Sequence, residues 1–125
     1  MGQGYLIDSN VIIDYFNGLL PETGRKFLDE ISPAISVITQ VEIFGSKNIS
    51  ADEYFKLQGF VEVALIYPVD QSIASIAINL KKKHSIKLAD SLIAATAIHY
   101  NLTLITRNIS DFKIEELEVI DSHLI

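Results

Sequence analysis

Five short, nearly continuous apolar runs recur along the chain, each separated from the next by a longer stretch of helical character. They are Tyr5-Leu6-Ile7, Ala34-Ile35-Ser36-Val37-Ile38, Val63 to Val69, Leu102 to Thr106 and Val119-Ile120. Strands that read as apolar throughout belong to a sheet covered on both faces, the situation in parallel α/β proteins. Between them the pattern predicts helices over residues 10–17, 23–31, 39–47, 52–61, 71–83 and 88–99, with Thr39-Gln40-Val41-Glu42 as a capping box. Strands alternating with helices require right-handed crossovers. The expected fold class is therefore α/β, a three-layer α/β/α domain with a mostly parallel central sheet. Such sheets gather ligands outside the carboxyl ends of their strands. With three prolines and no repeat or low-complexity linker, residues 1–125 are expected to form a single domain.

Composition removes several function classes. Apolar residues make up 49% of the chain and charged residues 21%, which excludes a disordered tail. The absence of cysteine excludes a disulfide framework, a thiolate zinc site and a Cys nucleophile. A net charge of −6 argues against broad adhesion to nucleic acid or anionic lipid, while leaving a local site open. The start, Met1-Gly2-Gln3-Gly4, lacks the basic and apolar character of a secretory signal. The longest uncharged stretch, Ser91 to Thr106, is too short and too interrupted to span a bilayer. A soluble, cytoplasmic protein without a membrane partner is expected.

The chemistry shows in the placement of the acids. Asp8 directly follows the first apolar run, Glu42 lies four residues after the second, and Asp111 five residues after the fourth. A parallel sheet puts all three on one edge. Each also has an ordinary reading: Asp8 as a helix cap, Glu42 as half of a capping box, Asp111 as a first-turn acid behind Asn108. Asp90 resists such a reading. It interrupts Leu88-Ala89-Asp90-Ser91-Leu92-Ile93-Ala94-Ala95, so burial against the sheet is expected, and a lone buried carboxylate costs several kcal/mol unless paired or metal-bound. No basic residue is spaced to pair with each acid. A hard cation, Mg²⁺ or Mn²⁺, resolves the repulsion with oxygen ligands and water. His84, His99 and His123 show no spacing suited to zinc. A cation in an acidic cage acts on phosphates, which points to phosphodiester hydrolysis.

Four segments carry a resemblance. Leu6-Ile7-Asp8-Ser9-Asn10-Val11-Ile12-Ile13, Ser36-Val37-Ile38-Thr39-Gln40-Val41-Glu42, Leu88-Ala89-Asp90-Ser91-Leu92-Ile93-Ala94-Ala95-Thr96-Ala97 and Leu104-Ile105-Thr106-Arg107-Asn108-Ile109-Ser110-Asp111-Phe112 resemble, in order, the signature blocks of PIN-domain proteins, with VapC-type toxins the most similar subgroup. The resemblance implies an Mg²⁺- or Mn²⁺-dependent ribonuclease, a homodimer, and a cognate antitoxin whose C-terminal segment covers the acidic site. It implies that Asp8, Glu42 and Asp90 serve metal binding and catalysis. The expected mechanism holds the cation on Asp8, Asp90 and Asp111, with Glu42 either completing the ligand set or taking the proton from the attacking water. Family members carry an acid at position 108, at 111 or at both. Here Asn108 departs from an acid, which leaves Asp111 as the fourth candidate and Asn108 as a neutral ligand. Asn10 and Thr106 match polar positions of the same pocket.

Lys81, Lys82, Lys83 and Lys87 crowd four of the ten basic residues into seven positions leading to Asp90. They form either a solvated face or a track for an RNA backbone, with Lys83, Lys87 and Arg107 as phosphate-contact candidates. Phe16, Phe27, Phe44, Tyr54, Phe55 and Phe60 belong to the core or to a groove for a partner. Other readings fit less well. A haloacid-dehalogenase phosphatase needs a second acid where Asn10 stands, and a receiver module needs an acidic pair and a strand-end lysine that Asp14 and Lys113 do not supply. A catalytically inactive PIN-like module binding RNA or protein is the remaining alternative.

Overall fold

The computed structural model describes residues 4–125, so the reading of Met1-Gly2-Gln3 lies outside the described residues. Within them the chain forms β1 (Tyr5–Ile7), α1 (Ser9–Phe16), α2 (Glu22–Glu30), β2 (Ala34–Ser36), α3 (Val37–Phe44), α4 (Ala51–Val63), β3 (Leu65–Tyr67), α5 (Gln71–Lys83), α6 (Leu88–His99), β4 (Thr103–Thr106), a 3₁₀ turn (Ile109–Phe112) and β5 (Val119–Asp121). Every strand pairing is parallel. The strands form a three-stranded sheet, β1-β4-β5, and a two-stranded one, β2-β3, with β2 running beside β1.

Alternation along the strands builds the layers. Leu6 and Leu104 face Ile73, Ala77, Leu80, Ile93 and Ala97 of α5 and α6. Their neighbours Ile7 and Ile105 point the other way, onto Val11, Ile12, Ile43 and Leu57 of α1, α3 and α4. Successive side chains of a strand point to opposite faces, so two cores form with the strands between them. The expected three-layer α/β/α arrangement is what the chain adopts.

Chain reversals follow from local chemistry. α6 ends in a Schellman arrangement: Leu102 N–H donates to Ala97 O at 2.8 Å and Asn101 N–H to Ile98 O at 3.2 Å. Asn101 takes φ = 55°, a left-handed conformation that asparagine tolerates better than most residues. This turn delivers the chain into β4. α1 closes the same way through Gly18 at φ = 70°.

Three boundaries differ from expectation. The second strand stops at Ser36, whose Oγ accepts from Ile38 N–H at 3.0 Å and caps α3. Thr39 is consequently a buried residue inside α3, and Glu42 lies beyond the first turn. The capping box sits instead at Ser50 and Glu53, starting α4. Val63 ends α4, so β3 is shorter than the Val63–Val69 run. Among the described residues no helix is long and apolar enough to cross a membrane.

Candidate active site

β1 is followed by helices leading to β2 on one side, whereas β4 leads to β5 on the other. The carboxyl ends of β1 and β4 are therefore a topological switch point, where the crossovers leave a crevice. Asp8 sits there, one residue past β1. Its N–H donates to Ile105 O at 2.9 Å, which continues the β1–β4 pairing and fixes its backbone. It is also the N-cap of α1, accepting from Ser9 N–H through Oδ1 at 2.8 Å. The ordinary reading of Asp8 is thus real, but it uses one oxygen. Oδ2 accepts from Thr106 Oγ1 at 2.8 Å and, at 3.4 Å, from Asn10 Nδ2.

The other three acids face Asp8 from separate elements. Glu42, on α3, is linked to α1 by a 3.0 Å hydrogen bond from Ser9 Oγ to its Oε1. Asp90 lies in the first turn of α6 and Asp111 in the 3₁₀ turn. Burial pushes the Asp90 carboxyl up to about 6, and the charges of Asp8, Asp111 and Glu42 add to this against a smaller opposing effect of Lys87. Burial likewise raises Asp8, offset in part by the bonds from Thr106 and Ser9, with Asp111 adding repulsion. Glu42 is raised by desolvation, lowered by Ser9 and raised again by Asp8. Asp90 differs from expectation in one respect: it is half-buried, because the first turn of α6 lies at the open strand-end edge.

No Lys, Arg or His nitrogen among the described residues lies within 4.0 Å of any of the four acids. The donors are all oxygens, so the chemistry suits a hard divalent cation. As placed, no three Asp, Glu or His side chains among the described residues stand close enough together to hold a metal ion.

Arg107 is placed differently from a free phosphate contact. Its Nη1 donates to Asp14 Oδ1 and Oδ2 at 3.0 and 2.9 Å, and Asp14 is buried. Its N–H donates to Asn10 Oδ1 at 3.1 Å, and Asn108 N–H donates to Thr106 Oγ1 at 3.1 Å. The segment after β4 is therefore tied to α1, and Asn108 contributes backbone rather than a side-chain hydrogen bond. His123 Nε2 approaches Asp14 Oδ2 at 3.7 Å.

The lysine run splits. Lys87 precedes Asp90 and acts on its charge. Lys83 instead lines a separate concavity with His84, Glu115 and Glu116, and Lys81 Nζ donates to Ile86 O at 2.8 Å. The aromatic residues split too. Phe16 and Phe60 line an apolar groove of about 480 Å³ between α1, α2 and α4, Phe27 packs in the core, Phe44 and Tyr54 stack on the α3–α4 surface, and Phe55 is exposed.

Two residues escaped the sequence reading. Ser9, beside Asp8, bridges to Glu42. Asp14 had a visible signal: it stands three residues after Val11, on the buried face of α1, where an unpaired acid is costly.

The PIN domain family profile matches residues 5–114. A toxin–antitoxin complex from Klebsiella pneumoniae contains a chain 31% identical, with TM-score 0.78, covering 98% of this chain and 100% of that one. VapBC2 from Rickettsia felis, bound to a DNA fragment from its promoter, matches at 28% identity and TM-score 0.75 over 93% and 96% of the two chains. VapBC-1 from nontypeable Haemophilus influenzae matches at 25% and 0.76 over 94% and 97%. Among curated proteins no sequence matches. The resemblance carried by the four sequence blocks is borne out: this chain belongs to the PIN-domain family.

Proposed function

We propose that the protein is a divalent-metal-dependent endoribonuclease that hydrolyses RNA phosphodiester bonds, and that residues 1–125 form one nuclease unit. The observation that carries this reading is the convergence of Asp8, Glu42, Asp90 and Asp111 at the switch point, where burial first and the neighbouring acids second push Asp90 up to about 6. Unpaired like charges of this kind are a liability unless a site uses them.

In this reading Asp8, Asp90 and Asp111 hold Mg²⁺ or Mn²⁺, directly or through water. When bound there, such a cation would supply Lewis acidity toward the phosphodiester and lower the pKa of a water molecule. Glu42, at the rim and oriented by Ser9 Oγ, accepts the proton of the attacking water, a role its raised affinity for protons favours. Thr106 and Asn10 fix the Asp8 carboxylate, and the Arg107 N–H fixes Asn10. The exposed part of the Arg107 side chain and Lys87 meet phosphates flanking the cut. No side chain is needed as a covalent nucleophile.

The similarity to chains in toxin–antitoxin complexes supports a role as a toxin with a cognate antitoxin. The full proposal is a cytoplasmic, homodimeric toxin of a type II pair. The apolar groove between α1, α2 and α4 offers a surface for such a partner. The reading is tested by incubating partner-free protein with mixed RNA under Mg²⁺, Mn²⁺ or EDTA, beside Asp90→Asn. Metal-dependent cleavage that the substitution abolishes is expected. Cleavage that survives both EDTA and the substitution would refute the assignment.

A further inference from the structure

A polar cleft of about 390 Å³ opens beside the four acids and shares Ser9, Asn10, Glu42 and Arg107 with the candidate active site. It runs away from the switch point toward the α3–α4 connection. Its volume falls in the range of small-molecule pockets, roughly 300–1,000 Å³.

The charges in this cleft are largely spoken for. Asp14 is bound twice by Arg107. Glu53 Oε1 accepts from Ser50 N–H at 3.0 Å within the capping box of α4. Glu42 belongs to the acidic site and repels any phosphate that enters. Besides the exposed part of Arg107, the groups left over are the Ser46 hydroxyl and the Asn48 amide, both on exposed residues, above apolar walls that include Ile13 and Ile49. A flat group with apolar faces and a polar edge fits this combination. A long apolar chain does not.

We propose that this cleft is a nucleobase subsite, receiving one unstacked base of the RNA strand next to the scissile phosphate, with Asn48 reading its edge. Single-stranded RNA is recognised in this way, with bases splayed into pockets and hydrogen-bonded on their edges. An amide presents a donor and an acceptor side by side, the arrangement that reads a base edge bidentately. The cleft thus sets which base stands beside the cut, while the acids perform the chemistry.

This inference rests on the ribonuclease reading, and the test separates the two. The full-length Asp90→Asn protein binds labelled oligo(A), oligo(C), oligo(G) and oligo(U), read by fluorescence anisotropy without cleavage. Unequal affinities are expected, spread over about tenfold, as one good base contact provides. Adding Asn48→Ala should compress that spread to about twofold or less. Asn48→Asp, which keeps the shape and removes the donor, should change the preferred base. Binding to all four with equal affinity, or a spread unchanged by both substitutions, overturns the subsite and leaves the nuclease untouched. Binding to none overturns both.

Discussion

Thr106 Oγ1 donates a 2.8 Å hydrogen bond to Asp8 Oδ2, joining residues 98 positions apart at the carboxyl ends of two adjacent parallel strands. The same hydroxyl accepts from Asn108 N–H. One buried oxygen therefore orients the central acid and starts the turn that carries Asp111. Thr106→Val should leave a buried carboxylate oxygen and an N–H short of a partner. A loss of about 1–3 kcal/mol in stability is expected. Activity should fall about 10- to 100-fold, as when a group orienting a metal ligand is removed. Thr106→Ser should restore most of both, measured by denaturant unfolding and initial cleavage rates.

The repulsion on Asp90 predicts opposite effects on stability and function. Asp90→Asn removes a charge that burial, Asp8, Asp111 and Glu42 all oppose. At pH 7 without divalent cation the variant should melt at or above the wild-type temperature. With saturating Mn²⁺ the wild type should gain stability and the variant should gain little, since a ligand stabilises only the state that binds it. Cleavage should be abolished. Parallel thermal melts with and without Mn²⁺ check this.

The pH dependence follows from the raised carboxyls. A folded-state pKa near 6, above the ordinary aspartate value, means the folded protein binds more protons than the unfolded chain across the interval between them. Without metal, this contribution makes stability fall as pH rises through that interval toward 6 and level off above it. Cation binding demands the ionised form, so metal affinity should rise over the same interval and protons should be released on binding. Calorimetry in buffers of different ionisation enthalpy reads the proton count directly.

The Asp14–Arg107 pair separates positioning from phosphate contact. Asp14 is buried and Arg107 half-exposed, so Arg107→Ala should destabilise by about 1–3 kcal/mol by stranding a buried carboxylate. Asp14→Asn combined with Arg107→Ala should recover part of that loss. Lys87→Ala should cost little stability but weaken RNA binding and flatten its salt dependence by about one phosphate contact. Lys83→Ala, on the concavity with Glu115 and Glu116, should leave the salt slope near wild type.

How much of this was legible depended on whether the signal was local. Gln71–Lys83 and Leu88–His99 form helices with the expected bounds, because each pairs an apolar stripe or core with clear ends. The Ala34–Ile38 run misled: Val37 and Ile38 favour strands, yet the Ser36 hydroxyl caps a helix two residues early. The genuine capping box, Ser50 and Glu53, was written in the sequence but eclipsed by the similar Thr39–Glu42 pattern.

The site divides in the same way. Asp8, Glu42 and Asp111 were visible because short crossovers place residues after parallel strands on one edge, and Asp90 because it breaks an apolar helix. The Asp14–Arg107 pair was not, since 93 residues separate its members and no spacing rule joins them. The lysine run appeared to be one feature, but the turn from α5 to α6 sends Lys83 and Lys87 to different surroundings.

The most direct test of the account is a Mn²⁺ titration of the purified protein at pH 7, beside Asp8→Asn and Asp90→Asn, by isothermal calorimetry. Saturable binding in the wild type that is lost or greatly weakened in both variants is the predicted result. Binding of equal strength in all three proteins would place any cation elsewhere and contradict the assignment of Asp8, Asp90 and Asp111 as the metal ligands.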